Sequence, residues 1–198
     1  MLQLVRTAKK STMPEDSDCA VDEYGLLARI VQGDTLAFEL FYKAYYPRLF
    51  RFILRMAQHP DMVEELIQET LLVVWEKPEN FNHTSKISTW VLGIAYNKTL
   101  KLLAKTAKRK EDLDMDDWLE QMDDPGANLA LNNENQDWLN LALASLSAEH
   151  RAVIELTFYH DLSYQEIAKI LDCPENTVKT RMFHARRKLQ VFAATQES

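Results

Sequence analysis

Apolar residues recur along this chain at helical spacing, and no stretch shows the two-residue alternation of a half-buried strand. Asp22 is placed to cap a first short helix carrying Leu26, Leu27, Ile30 and Val31, which Gly33 should end. Asp34 can cap a second, with Phe38, Phe41, Tyr42 and Tyr45 on one face, and Pro47 is expected to kink or interrupt it before Leu49, Phe50, Ile53 and Leu54 resume the stripe. These aromatics follow the helical period rather than clustering with cations, so they read as core and not as a base-stacking platform. Asp61 with Glu64 three residues on reads as another capped start, and Val63, Leu66, Ile67, Thr70, Leu71 and Val74 make its buried face. Glu65, Gln68, Glu69, Leu72 and Glu76 fall on a different, mostly acidic face. Residues 77–80 close that helix, a polar loop runs from Phe81 to Ser85, and the next helix carries Ile87, Trp90, Val91, Ile94 and Ala95.

The C-terminal third is punctuated differently. Trp138, Leu139, Leu141, Ala142, Leu143 and Leu146 open it and Ser147 is placed to cap a helix. In that helix Val153, Ile154 and Phe158 are expected to pack against the two helices after it. Ser163 with Glu166 forms a capping box, so a helix should start at Tyr164, with Ile167, Ala168 and Leu171 completing one apolar face. Asp172-Cys173-Pro174 breaks it, because Pro174 has no N–H to give and restricts the residue before it. The helix after the break has a seam of Val178, Met182, Ala185 and Leu189, with Lys179, Arg181, Arg186, Arg187 and Lys188 pointing elsewhere. Two short helices, a tight turn and a basic outer face make a helix-turn-helix, whose second helix fits the major groove of DNA.

Charge sharpens that picture. The chain of 198 residues has a formal net charge of −7, yet its cations are gathered: residues 175–190 hold five Lys/Arg against the single acid Glu175. Self-repulsion on such a helix must be offset by something, which favours DNA over the plain alternative of a basic solvated helix on an ordinary helical bundle. A second basic run carries six Lys/Arg and no acid from Lys98 to Lys110, suited to a phosphate backbone or, more plainly, to a helix C-terminus. Composition then inverts, with ten Asp/Glu and no Lys/Arg from Glu111 to Asp137 and Asp123-Asp124-Pro125-Gly126 in the middle. Such a run resists compaction and reads as an extended linker. The expectation is an all-α chain of two small helical domains: a tail over 1–21, a first domain over 22–108, an acidic linker over 109–137, a second domain over 138–192 and a tail over 193–198. Only 4 Gly and 6 Pro, with 46% hydrophobic residues, suit helices around a real core. Cys19 and Cys173 lie in no metal-ligand spacing, which argues against zinc or a disulfide framework and suits a reducing cytoplasm. The N-terminus MLQLVRTAKK lacks an apolar run of signal-peptide length, and no segment reaches membrane-spanning length, so direct membrane insertion is not expected.

A family resemblance joins these features. SLSAEHRAVIELTFYHDLSYQEIAKILDCPENTVKTRMFHARRKL (145–189) closely resembles region four of extracytoplasmic-function sigma factors, the small promoter-recognition subunits of bacterial RNA polymerase. GDTLAFELFYKAYYPRLFRF (33–52) and DMVEELIQETLLVVWEKPENF (61–81) resemble the same family's region two, and with STWVLGIAYNKTLKLL (88–103) they cover most of the chain in the family's order. The resemblance implies core RNA polymerase as a partner through the β′ clamp helices and the β flap, with the ELIQE match placing the clamp contact on Glu65, Gln68 and Glu69. It implies promoter DNA as the second partner. The −35 element falls to Lys179, Thr180, Phe183 and His184, with Arg181, Arg186 and Arg187 near phosphates; Phe183 could touch a thymine methyl or be partly buried. The −10 element falls to the loop Asn82, His83, Thr84 and Ser85, with Trp90, Asn97, Lys98 and Lys101 on the helix behind it. A base flipped from the non-template strand would be read there by its edge. Many relatives carry an Arg-Gly-Asp type of loop at this place, and Gly93 stands where a basic residue is common. Relatives are commonly held by an anti-sigma factor, so such a partner is implied here too.

Two rivals stay open on sequence alone: an autonomous repressor or activator using the same helix-turn-helix, and an acidic helical adaptor binding only proteins. The first would need a dimer surface and a two-fold operator. The second leaves both basic runs unexplained. No nucleotide-binding glycine loop, metal cluster or nucleophile–base arrangement is visible, so neither an enzyme nor a cofactor is expected.

Overall fold

The computed structural model describes residues 22–112, 138 and 141–196, and among them every regular element is a helix. The expected tail over 1–21 and nearly all of the expected acidic linker lie outside the described residues. Four helices form the first group: α1 (Glu23–Val31), α2 (Thr35–Ala57), α3 (Val63–Glu76) and α4 (Ile87–Asp112). The second group comprises a helical turn α5 (141–144), α6 (Ala148–Phe158), α7 (Tyr164–Ile170) and α8 (Glu175–Gln196).

The anticipated caps hold at the first two helices. The Asp22 carboxylate accepts from the Gly25 N–H at 2.9 Å. Gly33 closes α1 at φ +78°, a left-handed conformation that suits its missing Cβ. Asp34 accepts from the N–H groups of Leu36 and Ala37 at 2.9 and 3.1 Å. Pro47, by contrast, does not interrupt α2, which runs unbroken through it. The proline deprives the Lys43 carbonyl of its usual donor, but both residues are exposed, so water can take that carbonyl.

Asp61 does not cap α3. A 3-10 turn, Pro60–Met62, leads into the helix, whose cap position is Met62 with no side-chain bond. Glu64 instead accepts the Tyr46 hydroxyl, which ties α3 to α2. Ser147 occupies the cap position of α6 as expected, yet its hydroxyl pairs with the His150 ring at 2.9 Å rather than with a backbone N–H. The six apolar and Thr residues assigned to the inner face of α3 are all buried. Phe158 is not: it is 58% exposed, while Leu156 is fully buried. Residues 151–156 of α6 are buried all round, and Phe158 at the helix end projects past that core.

The two groups pack on each other, α2 against α6 and α4 against α7. The join is made by charge inside the core. Arg151, 6% exposed, donates from Nε to the Leu143 carbonyl and from Nη2 to the Leu146 carbonyl, both at 2.9 Å. Its Nη1 crosses to the other group and donates to the carbonyls of Met56 and Arg55 at 2.9 and 3.3 Å. Those two sit at the C-terminus of α2, where helix carbonyls lack intrahelical donors and the dipole favours a cation. Burial lowers the Arg151 pKa to about 10, which leaves it charged at neutral pH. One turn along α6, the fully buried Glu155 accepts from Arg55 at 3.0 Å, and the Arg55 guanidinium lies 3.6 Å from the Tyr159 ring centroid.

Replacing Arg151 with Met should therefore strand buried carbonyls on both groups. A loss of roughly 3 kcal/mol or more is expected in urea unfolding of the full chain. A loss below about 1 kcal/mol would mean that water replaces the guanidinium without penalty.

Candidate nucleic-acid interface

The capping box at Ser163 and Glu166 forms in both directions, with the Glu166 N–H on the Ser163 hydroxyl at 3.3 Å and the Ser163 N–H on the Glu166 carboxylate at 3.0 Å. The chain turns through Asp172, at φ +47°, and enters α8 directly after Pro174. Val178, Met182 and Ala185 are buried and Leu189 is partly so, which fixes the rotation of α8. The opposite face then carries Lys179, Thr180, Phe183, His184, Arg186 and Arg187, all exposed. Phe183 is 63% exposed, so of the two readings open for it, the outward one holds.

Arg181 leaves this set. It turns inward to Glu149 at 2.9 Å, with a weaker contact to Cys173 Sγ at 3.8 Å. Lys179 leans on Glu175 at 2.9 Å, and the Thr180 hydroxyl donates to the Asn176 carbonyl at 2.9 Å. Arg186 and Arg187 form no ion pair among the described residues, although Arg186 lies 5.7 Å from the exposed Phe158 ring. Unpaired guanidiniums beside an exposed aromatic suit phosphate and base contact.

The loop before α4 folds on itself. Asn82 Oδ1 accepts from the Thr84 N–H at 3.1 Å and from its hydroxyl at 2.7 Å. His83 adopts φ +57° and lays its ring 4.6 Å from the buried Phe81. Asn82, Thr84, Ser85, Trp90 and Asn97 line one groove of about 520 Å³. Thr89 also lines it, with its hydroxyl buried and unpaired among the described residues. His83, Lys98 and Lys101 lie outside the groove lining.

The far wall of the groove is α7. Lys169 Nζ donates to the Thr84 carbonyl at 2.6 Å, and Lys86 pairs with Glu166 at 2.8 Å. The Lys86 hydrogen bond, and after it the Ser163 N–H, pull the Glu166 carboxyl down to about 2. A Cβ built at Gly93 would stand 3.9 Å from the Ile170 backbone. That is ordinary contact for a methyl, but a long side chain there would press directly on α7. The absence of a larger residue at 93 thus lets the helices meet.

On α3, Glu65 and Gln68 are exposed, and Glu69 is half-buried because it pairs with Lys98 at 2.9 Å. Leu72 stands among them 50% exposed. Lys169 and the Lys86–Glu166 pair escaped sequence reading entirely, since they act across 80 or more residues. Among the described residues no group of three His, Cys, Asp or Glu could hold a metal, and no helix is long and apolar enough to cross a membrane.

Comparison with known proteins finds one family match in each of the two helical groups. The Sigma-70 region 2 family matches residues 41–109, and the Sigma-70 region 4 family matches residues 136–189. The chain is 30% identical over 173 residues to the ECF RNA polymerase sigma-E factor of Escherichia coli (strain K12), covering 83% of this chain and 90% of that protein. Against the corresponding factor of Haemophilus influenzae it is 28% identical over 178 residues, covering 85% and 93%. In structure it resembles the sigma factor RpoE of Bartonella quintana, solved with the anti-sigma factor NepR, at a TM-score of 0.67 and 26% identity over 79% of this chain and 96% of that one. CnrH, solved with the cytosolic domain of CnrY, shares the fold at a TM-score of 0.63 and 20% identity, covering 87% and 97%.

The contact between α7 and the loop has a direct readout. Lys169→Ala should raise amide hydrogen exchange at residues 84–87 several-fold while leaving α1 and α3 unchanged. Unaltered exchange at those amides would show that the loop holds itself, through Asn82 alone.

Proposed function

The chain belongs to the extracytoplasmic-function (ECF) sigma factors, and we propose that it binds core RNA polymerase and directs promoter-specific initiation through a −10 and a −35 element. Sigma factors are initiation factors; the chemistry of RNA synthesis resides in the polymerase they serve. The observation that carries the reading is the pair of prepared surfaces on one chain. One is the exposed cationic and aromatic face of α8; the other is the groove of amide and hydroxyl groups before α4. The first suits the major groove of a duplex, where side chains meet base edges and phosphates together. The second suits a single unstacked base, which needs donors and acceptors at its edge and an aromatic beside it.

Within the −35 surface, Lys179, Thr180, Phe183 and His184 are assigned to bases and Arg186 and Arg187 to phosphates. Arg181 acts through its ion pair with Glu149, holding α8 on α6. Within the −10 surface, Asn82, Thr84, Ser85, Trp90 and Asn97 are assigned to the captured base, with Lys98 and Lys101 along the strand and His83 stacked behind the loop. Glu65, Gln68, Glu69 and Leu72 are assigned to the polymerase, where an acidic face with an apolar centre meets a partner of opposite charge.

The −10 groove is walled by α7 in the described arrangement, so passage of a single strand requires α4 and α7 to part. An anti-sigma factor that holds the two groups together would keep the groove shut. The similarity to a sigma factor solved in such a complex supports that mode of control. The working compartment is set by the partners: the chain acts where core polymerase and chromosome are, in the cytoplasm.

Transcription with purified core polymerase on a library randomised across both elements tests the whole reading. The wild-type chain should give promoter-specific transcripts. Gln68→Lys with Glu69→Lys should abolish co-purification with core enzyme while the protein stays helical, because like charge then faces like charge. Arg187→Ala should weaken DNA binding across all sequences and reduce the salt slope by about one, whereas Thr180→Ala should relax preference at a single base. Promoter-specific DNA binding without any need for polymerase would instead identify an autonomous repressor or activator.

A further inference from the structure

Between α2, the start of α4 and the turn after α6 lies a cavity of about 390 Å³. One face of α2 sends Arg48, Arg51 and Arg55 to it, and the turn after α6 adds Tyr159 and His160. Its charge does not balance. Arg55 is matched by Glu155 at 3.0 Å, and Arg48 lies 3.5 Å from Glu23. Arg51 has no carboxylate; its Nε donates only to the Pro47 carbonyl at 3.1 Å, and its side chain stands exposed at the mouth. Behind Glu155 lies the further cation Arg151, whose hydrogen bonds all go to neutral carbonyls. Four guanidiniums therefore share two carboxylates.

His160 registers the consequence. Burial first, then Arg48, Arg51 and Arg55, hold its pKa at about 4, so at neutral pH the ring adds no positive charge. Tyr45, only 2% exposed, adds to the lining, while its hydroxyl is buried and interacts with the Glu23 carboxylate. Burial, then the Glu23 carboxylate, keep that hydroxyl protonated. Guanidinium forks converging on one cavity are the chemistry that recognises a compact oxyanion of high charge.

We propose that this cavity is a binding site for a small phosphate-bearing anion, held by Arg48 and Arg51. An unmatched guanidinium at the mouth, with a further cation behind the wall, suits a phosphate group better than a single carboxylate. The cavity is walled by both helical groups, so an occupant binds the packed arrangement and not the parted one. By linkage it stabilises packing, and with it the α7 wall over the groove before α4. The site is independent of the sigma reading, since it rests on the junction alone.

The experiment is isothermal titration and thermal unfolding of the full chain in a buffer free of phosphate, at ionic strength held constant with sodium chloride. Inorganic phosphate and pyrophosphate are the probes, with acetate as the monovalent carboxylate control. Saturable one-to-one binding of phosphate or pyrophosphate and a rise in Tm are expected, with acetate inert. Arg51→Gln should weaken binding at least tenfold while leaving the anion-free Tm unchanged, because Arg51 holds only one backbone bond. Absence of saturable binding above the chloride baseline overturns the proposal, as does unchanged affinity in Arg51→Gln. Loss of binding in Arg187→Gln instead would place the anion on α8 and overturn it equally.

Discussion

The guanidinium of Arg151 holds this structure closed. Four backbone carbonyls from two separate helical groups converge on one buried cation, and two of them lie in the last turn of α2. Those carbonyls need donors wherever the helix end is buried, so the residue answers an obligation the backbone creates. A cation taken so far out of water would be costly alone. Glu155 one turn away, held in turn by Arg55, offsets part of that cost and extends the charged seam to the surface at Tyr159. Such a seam gives the join a defined register, where an apolar interface of the same area could slide.

Everything on the outside depends on that register. Once α6 is docked on α2, α7 lies along α4, and its Lys169 and Glu166 reach the loop before α4 through Thr84 and Lys86. The groove that suits a flipped base is therefore half made by the other end of the chain. The face of α8 remains open to solvent in the same arrangement. The two proposed promoter surfaces are thus unequal: one is ready and one is walled. Control of initiation by holding the groups together needs no change in either surface, only a change in the stability of the join between them.

Much of this was legible in the chain. The helical period, the caps at Asp22 and Asp34, the capping box at Ser163 and the break at Pro174 are local, each depending on residues three or four apart, and each formed as expected. The seam of α8 fixed which side of that helix stays wet, so the cations Arg186 and Arg187 could be placed from spacing, whereas the outward position of Phe183 was settled only by the structure. Neighbours along the chain dictate the helices and their inner faces, because the hydrophobic period is a local property.

The remainder was settled in three dimensions. Pro47 does not break α2 because the carbonyl it strands is wet, and Asp61 does not cap α3 because Pro60 starts a 3-10 turn there. Phe158 is exposed because the all-round burial of α6 stops at Leu156 and the helix end runs past that core. Arg181 belongs to Glu149 and not to the outer face of α8, and Lys98 belongs in part to Glu69. Arg55, Arg151, Glu155 and Lys169 looked like ordinary charged residues, since a charge declares its partner only in space. Their partners lie some 85 to 100 residues away, at separations where no period in the sequence connects them.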